Sequence, residues 1–166
     1  MLETSHMQKS GRLFLFPVLM AVFVWLTACD NPFGPSNGSA PGDIEKEIFK
    51  LVNDYRLSIG KSGLTRNETL DGIARGHSQD MADGKVPFGH DGFYDRMALV
   101  GQTIPWTAAA ELIALSGSAK DAVDTWIQST EHRINLEGNY DLTGVGVVKA
   151  KTGSSFYTTQ ILIKPR

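Results

Sequence analysis

Beyond the N-terminal segment the chain carries three histidines, His77, His90 and His132, and one glutamate, Glu111, set inside an apolar run. These are the side chains best equipped for chemistry. His90 lies in the glycine-rich stretch Phe88-Gly89-His90-Asp91-Gly92, and His132 in Ser129-Thr130-Glu131-His132-Arg133. Glu111 interrupts the small apolar run Ala108 to Leu115. A buried carboxylate is strongly unfavourable unless it is paired, so Glu111 demands a cationic, hydrogen-bond-donating or metal partner. Two imidazoles and a carboxylate can hold a divalent metal such as zinc with open positions, or can act as a base and its orienting group. Spacing does not show that they meet: there is no His-Glu-x-x-His motif and no cysteine cluster. A set of polar residues satisfying one another beneath a loop is the alternative. His77 shares a helical stripe with Leu70, Ile73 and Met81 and reads as a core residue. No Gly-x-Ser-x-Gly elbow or phosphate loop is present, so a serine hydrolase has no support.

The elements that must position these residues follow from periodicity. Ile44, Ile48, Leu51, Val52 and Tyr55 recur at helical spacing after Asp43, a plausible N-cap. Glu45 and Glu47 suit the positive end of that helix, and Gly60 ends it. A second helix is predicted from about Glu68 to Ala82, stopped by Asp83-Gly84. Val86 to Gly92 reads as a loop, Phe93 to Leu99 as a short helix and Gly101 to Pro105 as another loop. Ala108 to Leu115 is ambiguous between helix and strand. Ser118 with Asp121 three residues on resembles a capping box opening a helix that turns Ala122, Val123, Trp126 and Ile127 inward. A further turn holds Glu131, His132 and Arg133. The period then changes: Val145 to Ala150 and Phe156 to Ile163 read as strands joined by Lys151-Thr152-Gly153-Ser154. Helices first and antiparallel strands later imply an α+β or layered αβα fold.

A chain of 166 residues with 42% hydrophobic content can bury one sizeable core. Its net charge of -2, with no long basic stretch, argues against nucleic-acid binding. The N-terminus stands apart. Lys9 and Arg12 precede an apolar run from Leu13 to Leu26, too short for a comfortable membrane span and suited to a signal-peptide core. It ends in Leu26-Thr27-Ala28-Cys29, which resembles the lipobox of bacterial lipoproteins. Cys29 is the chain's single cysteine, so no internal disulfide can form. Residues 1–28 are therefore expected to be a lipoprotein signal peptide and Cys29 to be lipidated, with Met7 as an alternative start. The Pro-, Gly-, Ser- and Asn-rich stretch up to Gly42 reads as a flexible linker, so that 29–42 tethers a domain at 43–166. The expected location is the cell envelope, lipid-anchored and extracytoplasmic, in the periplasm or at the cell surface.

From about Ile44 to Ile163 the chain resembles the bacterial, disulfide-free branch of the SCP/CAP superfamily. That superfamily holds the cysteine-rich secretory proteins, antigen 5 and the plant pathogenesis-related proteins. The landmarks appear in order: Val52-Asn53-Asp54-Tyr55-Arg56, Ala74 to Ala82, Phe88-Gly89-His90, Gly92-Phe93-Tyr94-Asp95-Arg96, Ala110-Glu111-Leu112-Ile113-Ala114, Ala122 to Ser129 with His132 to Leu136, Gly144-Val145-Gly146-Val147 and Tyr157-Thr158-Thr159-Gln160. The resemblance implies an α+β, three-layer αβα sandwich with a small antiparallel sheet and a cleft. It implies that His90, Glu111 and His132 line that cleft and that a divalent metal such as zinc is held by His90 and His132, with Glu111 as a further candidate. The same three residues are the catalytic candidates. A second cleft glutamate of eukaryotic members falls at about Ser129, Leu112 replaces the usual Asn, and Glu131 replaces the Gly that commonly precedes the histidine. Glu131 is expected to raise the basicity of His132 if the two approach. The functional expectation is a non-catalytic binding protein for a lipid or cell-envelope ligand, with a divalent-metal-dependent, peptidase-like hydrolase as the alternative.

Overall fold

The computed structural model describes residues 40–166. The signal segment, the lipidation candidate Cys29 and all of the linker before Ala40 lie outside the described residues. Helix α1 runs Pro41–Ser58, starting three residues earlier than the sequence predicts. Ala40 is its N-cap and Asp43 sits inside the first turn, because Pro41 has the fixed φ that the first helical position accepts. Strand β1 (Thr65–Arg66), α2 (Glu68–Asp83), α3 (Phe93–Gly101), β2 (Trp106–Ser116), α4 (Ala119–Gln128), α5 (Thr130–Leu136), β3 (Leu142–Lys149) and β4 (Phe156–Pro165) follow. Asn67 caps α2, Ser118 caps α4 and Ser129 caps α5, each accepting a backbone N–H with its side chain. Gly84, at φ 72°, ends α2 in the left-handed conformation that favours glycine.

The sheet order is β1-β3-β4-β2. The pairs β3·β4 and β4·β2 are antiparallel, as expected, and β1 adds a two-residue parallel pairing to β3 that makes the sheet mixed. Helices cover both faces. On one, Ile44, Ile48 and Val52 of α1, Val123 and Trp126 of α4 and Leu136 of α5 pack on Leu112, Val145, Val147 and Leu162. On the other, Leu70 and Ala74 of α2 and Met97 and Val100 of α3 pack on Ile161 and Ile163. The ambiguous run at Ala108 to Leu115 is a strand. A strand buried on both faces shows no polar alternation, which is why its period is unreadable from the sequence.

Gly144 and Gly146 let α2 lie directly on β3. A Cβ at either position would run into the α2 backbone, at Leu70–Asp71 and at Ala74–Arg75 respectively. Ser78 closes this contact: its hydroxyl donates to the Gly146 carbonyl and accepts from the Thr159 hydroxyl, both at 2.9 Å.

Candidate functional site

Glu111 stands in the middle of β2, its side chain 1% exposed. Its partner is Arg96, in the first turns of α3: Nε donates to Oε2 at 2.8 Å and Nη2 to Oε1 at 2.7 Å. This two-pronged pairing is the strongest geometry available to a guanidinium and a carboxylate. Arg96 also donates through Nη1 to the carbonyl of Asp91, tying the loop to the helix. Gly92, at φ 76°, makes the turn that starts α3 beneath that loop.

His90 is half exposed, and its Nδ1 lies 3.0 Å from Glu111 Oε1. A carboxylate paired to arginine accepts, so His90 donates through Nδ1–H and keeps a lone pair on Nε2. His77 is buried and donates through Nε2 to the Gly89 carbonyl at 2.9 Å, with Glu111 Oε1 at 3.8 Å. It is the satisfied core histidine the sequence suggests, and it holds the loop that presents His90. Burial pushes its pKa below the ordinary value of 6.5, against smaller upward pulls from the Gly89 carbonyl and Glu111.

His132 belongs to α5, whose N-cap Ser129 accepts the His132 backbone N–H at 3.4 Å. Its Nδ1 is buried with no hydrogen-bond partner among the described residues. Its pKa is pushed below 6.5, first by burial and then by His90. Glu131 pulls upward, but burial outweighs it, so the higher basicity expected from Glu131 is not what results. The structure thus brings His90, Glu111 and His77 together, with His132 within electrostatic reach of His90. Ser129, at the position of the second glutamate of eukaryotic members, is a helix cap.

Arg96 is the functional residue that reading the sequence for chemistry passes over. Its only signal was the demand of Glu111 for a cation. For a divalent ion the consequence is direct. Both Glu111 oxygens are occupied by Arg96, and among the described residues no three His, Cys, Asp or Glu side chains form a group able to hold a metal. An ion beside Glu111 would meet a carboxylate already paired to a guanidinium.

A cleft of about 750 Å³ opens over these residues. The His90–Asp95 segment forms one wall, Ala109 to Glu111 of β2 the floor and Asn135 of α5 the far side. His132 lies one turn before Asn135 but is not among the lining residues. Phe93 and Tyr94 give the first wall an apolar surface, Tyr94 being 86% exposed.

A sheet covered by helices on both faces is a fold this chain shares with solved SCP domains. The chain belongs to the cysteine-rich secretory protein (CAP) family, whose model matches residues 49–162. It is 35% identical over 136 residues to the uncharacterized protein YkwD of Bacillus subtilis (strain 168), covering 76% of this chain and 51% of YkwD. The chain therefore spans about half the length of that relative. Among solved structures, it is similar to an extracellular protein containing an SCP domain from Bacillus anthracis str. Ames. There the TM-score is 0.63 at 30% identity, with 75% of this chain and 41% of that one covered. An outer surface protein from Borrelia burgdorferi shares the fold at a TM-score of 0.63 and 16% identity, with 77% and 97% covered. Among the described residues no helix is long and apolar enough to cross a membrane.

Proposed function

We propose that the chain is a lipid-anchored, extracytoplasmic CAP domain that binds a lipid or another cell-envelope component in the cleft between His90 and Asn135 and catalyses no turnover. The observation that carries this reading is the clamp on Glu111: Arg96 occupies both carboxylate oxygens and His90 shares one of them. A carboxylate so committed is a poor proton acceptor and a poor metal ligand. The cleft beside it is roomy and partly apolar, as binding sites are. The extracellular relative from Bacillus anthracis and the lipobox-like Leu26-Thr27-Ala28-Cys29 support the location.

Two experiments test it. Protein purified from membranes by gentle extraction is expected to carry a ligand that mass spectrometry detects and that Phe93→Ala, Tyr94→Ser protein lacks; equal contents from both would overturn the reading. Cys29→Ser is expected to move the protein from the membrane to the soluble fraction. A divalent cation such as Zn²⁺ would be held by His90 and His132 alone. Calorimetric titration is then expected to show weak uptake that the double substitution His90→Ala, His132→Ala abolishes.

One observation favours a second reading, a peptidase-like hydrolase. His90 donates Nδ1–H to Glu111 and keeps its Nε2 lone pair, which is how a general base is oriented. In that case Glu111 orients and His90 takes the proton from water. Turnover of a peptide substrate would then be lost in His90→Gln and sharply reduced in Glu111→Gln.

A further inference from the structure

Sheet edges are where a fold has backbone groups left to pair, and here the two edges are treated differently. The register identifies which groups point outward. Val145 N–H donates to Asp71 at 2.8 Å and Val147 N–H to Glu45 at 3.2 Å, so these residues of β3 face away from β4. The residues Gly144 and Gly146 then pair with Ile161 and Thr159 of β4. That leaves Thr158, Gln160 and Leu162 of β4 directed at their partners Ala114, Leu112 and Ala110 of β2. The N–H and C=O groups of Ala109, Glu111 and Ile113 must therefore point out from the free edge of β2.

The fold closes parts of these edges with side chains. On β3 the closure comes from the carboxylates of Asp71 and Glu45, backed by Arg66 and Arg75. On β2 the Ile113 carbonyl accepts from Trp126 Nε1 at 2.8 Å. Beside the cleft nothing is supplied: among the described residues no backbone or side-chain group pairs the outward N–H and C=O of Ala109 and Glu111. Proteins ordinarily blunt an open edge, because it is a template for another strand.

We propose that the edge of β2 at Ala109–Glu111 takes up an extended, basic peptide segment as an added strand. This deepens the proposed binding function and rests on it. An extended peptide offers donors and acceptors at a two-residue spacing and matches the edge groups, whereas an acyl chain or sterol would cover them without pairing them. The charge follows from the wall. Asp91 and Asp95 are exposed, line the cleft and make no ion pair among the described residues, while the acidic charge of Glu111 is already met by Arg96. Every second side chain of the added strand falls against that wall, which carries Asp91 and Asp95 beside Phe93 and Tyr94, so a lysine or arginine there meets the carboxylates with its charged head and the rings with its methylene stem.

The test is residue-resolved amide hydrogen exchange on the full-length protein, with the acetylated, amidated peptide Val-Lys-Val-Lys-Val-Lys as probe. Slowing of exchange by about tenfold or more at Ala109 and Glu111 is expected, at saturable peptide concentration. The same peptide N-methylated at alternate residues, and Val-Glu-Val-Glu-Val-Glu, are expected to give no protection. Asp91→Asn, Asp95→Asn protein is expected to bind the lysine peptide about tenfold more weakly at low salt. Anionic phospholipid vesicles are the parallel probe. Protection by vesicles and not by peptide would overturn the added strand and leave the binding function standing. Protection that survives N-methylation, or falls elsewhere than Ala109 and Glu111, would also overturn the strand. Binding of neither probe would overturn both.

Discussion

Glu111 is buried, charged and in the middle of a strand, and its tolerance depends on Arg96. Removing one member of a buried pair leaves the other uncompensated, which costs about 3–5 kcal/mol. Arg96→Met is therefore expected to lower stability by about that amount in urea denaturation, and Arg96→Met combined with Glu111→Leu to recover much of the loss. The histidines add a pH dependence. Burial depresses the pKa of His77 and of His132 below 6.5, so the unfolded chain takes up their protons before the folded one does. Their contribution to stability is complete above about pH 6.5 and is lost as pH falls from there through the depressed folded values. Denaturation midpoints are expected to drop from pH 7.5 to pH 5.5, and to drop less in His77→Gln, which can still donate to the Gly89 carbonyl.

The pairing of α2 with β3 is decided by atoms that are absent from Gly144 and Gly146. Alanine at either position would force the helix off the sheet, so Gly146→Ala is expected to cost about 3 kcal/mol or more, enough to abolish cooperative unfolding or soluble expression. The free edge of β3 is held by side chains rather than by a strand, with Glu45 receiving Arg66, Arg75 and the Val147 N–H at once. Glu45→Gln is expected to speed amide exchange at Val147 well before global stability is lost, whereas Gly146→Ala lowers protection throughout the sheet. Glu45 is read from the sequence as an ordinary acidic residue of a helix N-terminus; its depth in the fold gives it another role. Arg56 is a parallel case: buried, it donates to the carbonyls of Ser62, Leu136, Gly138 and Tyr140 and joins the α1–β1 and α5–β3 connections.

For the molecule as a whole, the helices were legible wherever one face alone is apolar, as in α1, α2 and α4, because a 3.6-residue period survives only when the other face meets water. The antiparallel β3–β4 pair was legible from its length, β-branched residues and intervening Gly153 turn. Strand β2 was not, since helices cover both of its faces, and β1 was not, since two residues carry no period. His90, Glu111 and His132 could be nominated from residue type, and the burial of Glu111 could be inferred from its apolar neighbours. Three things required the folded chain: that Arg96 is the partner of Glu111, that His90 sits on a loop held by His77 against Glu111, and that the edge of β2 is open beside the cleft. Sequence patterns record which side of an element is buried. Partner identity and edge pairing depend on contacts between elements far apart in the chain, which only the close approach of α2 to β3 and the resulting strand order bring into being.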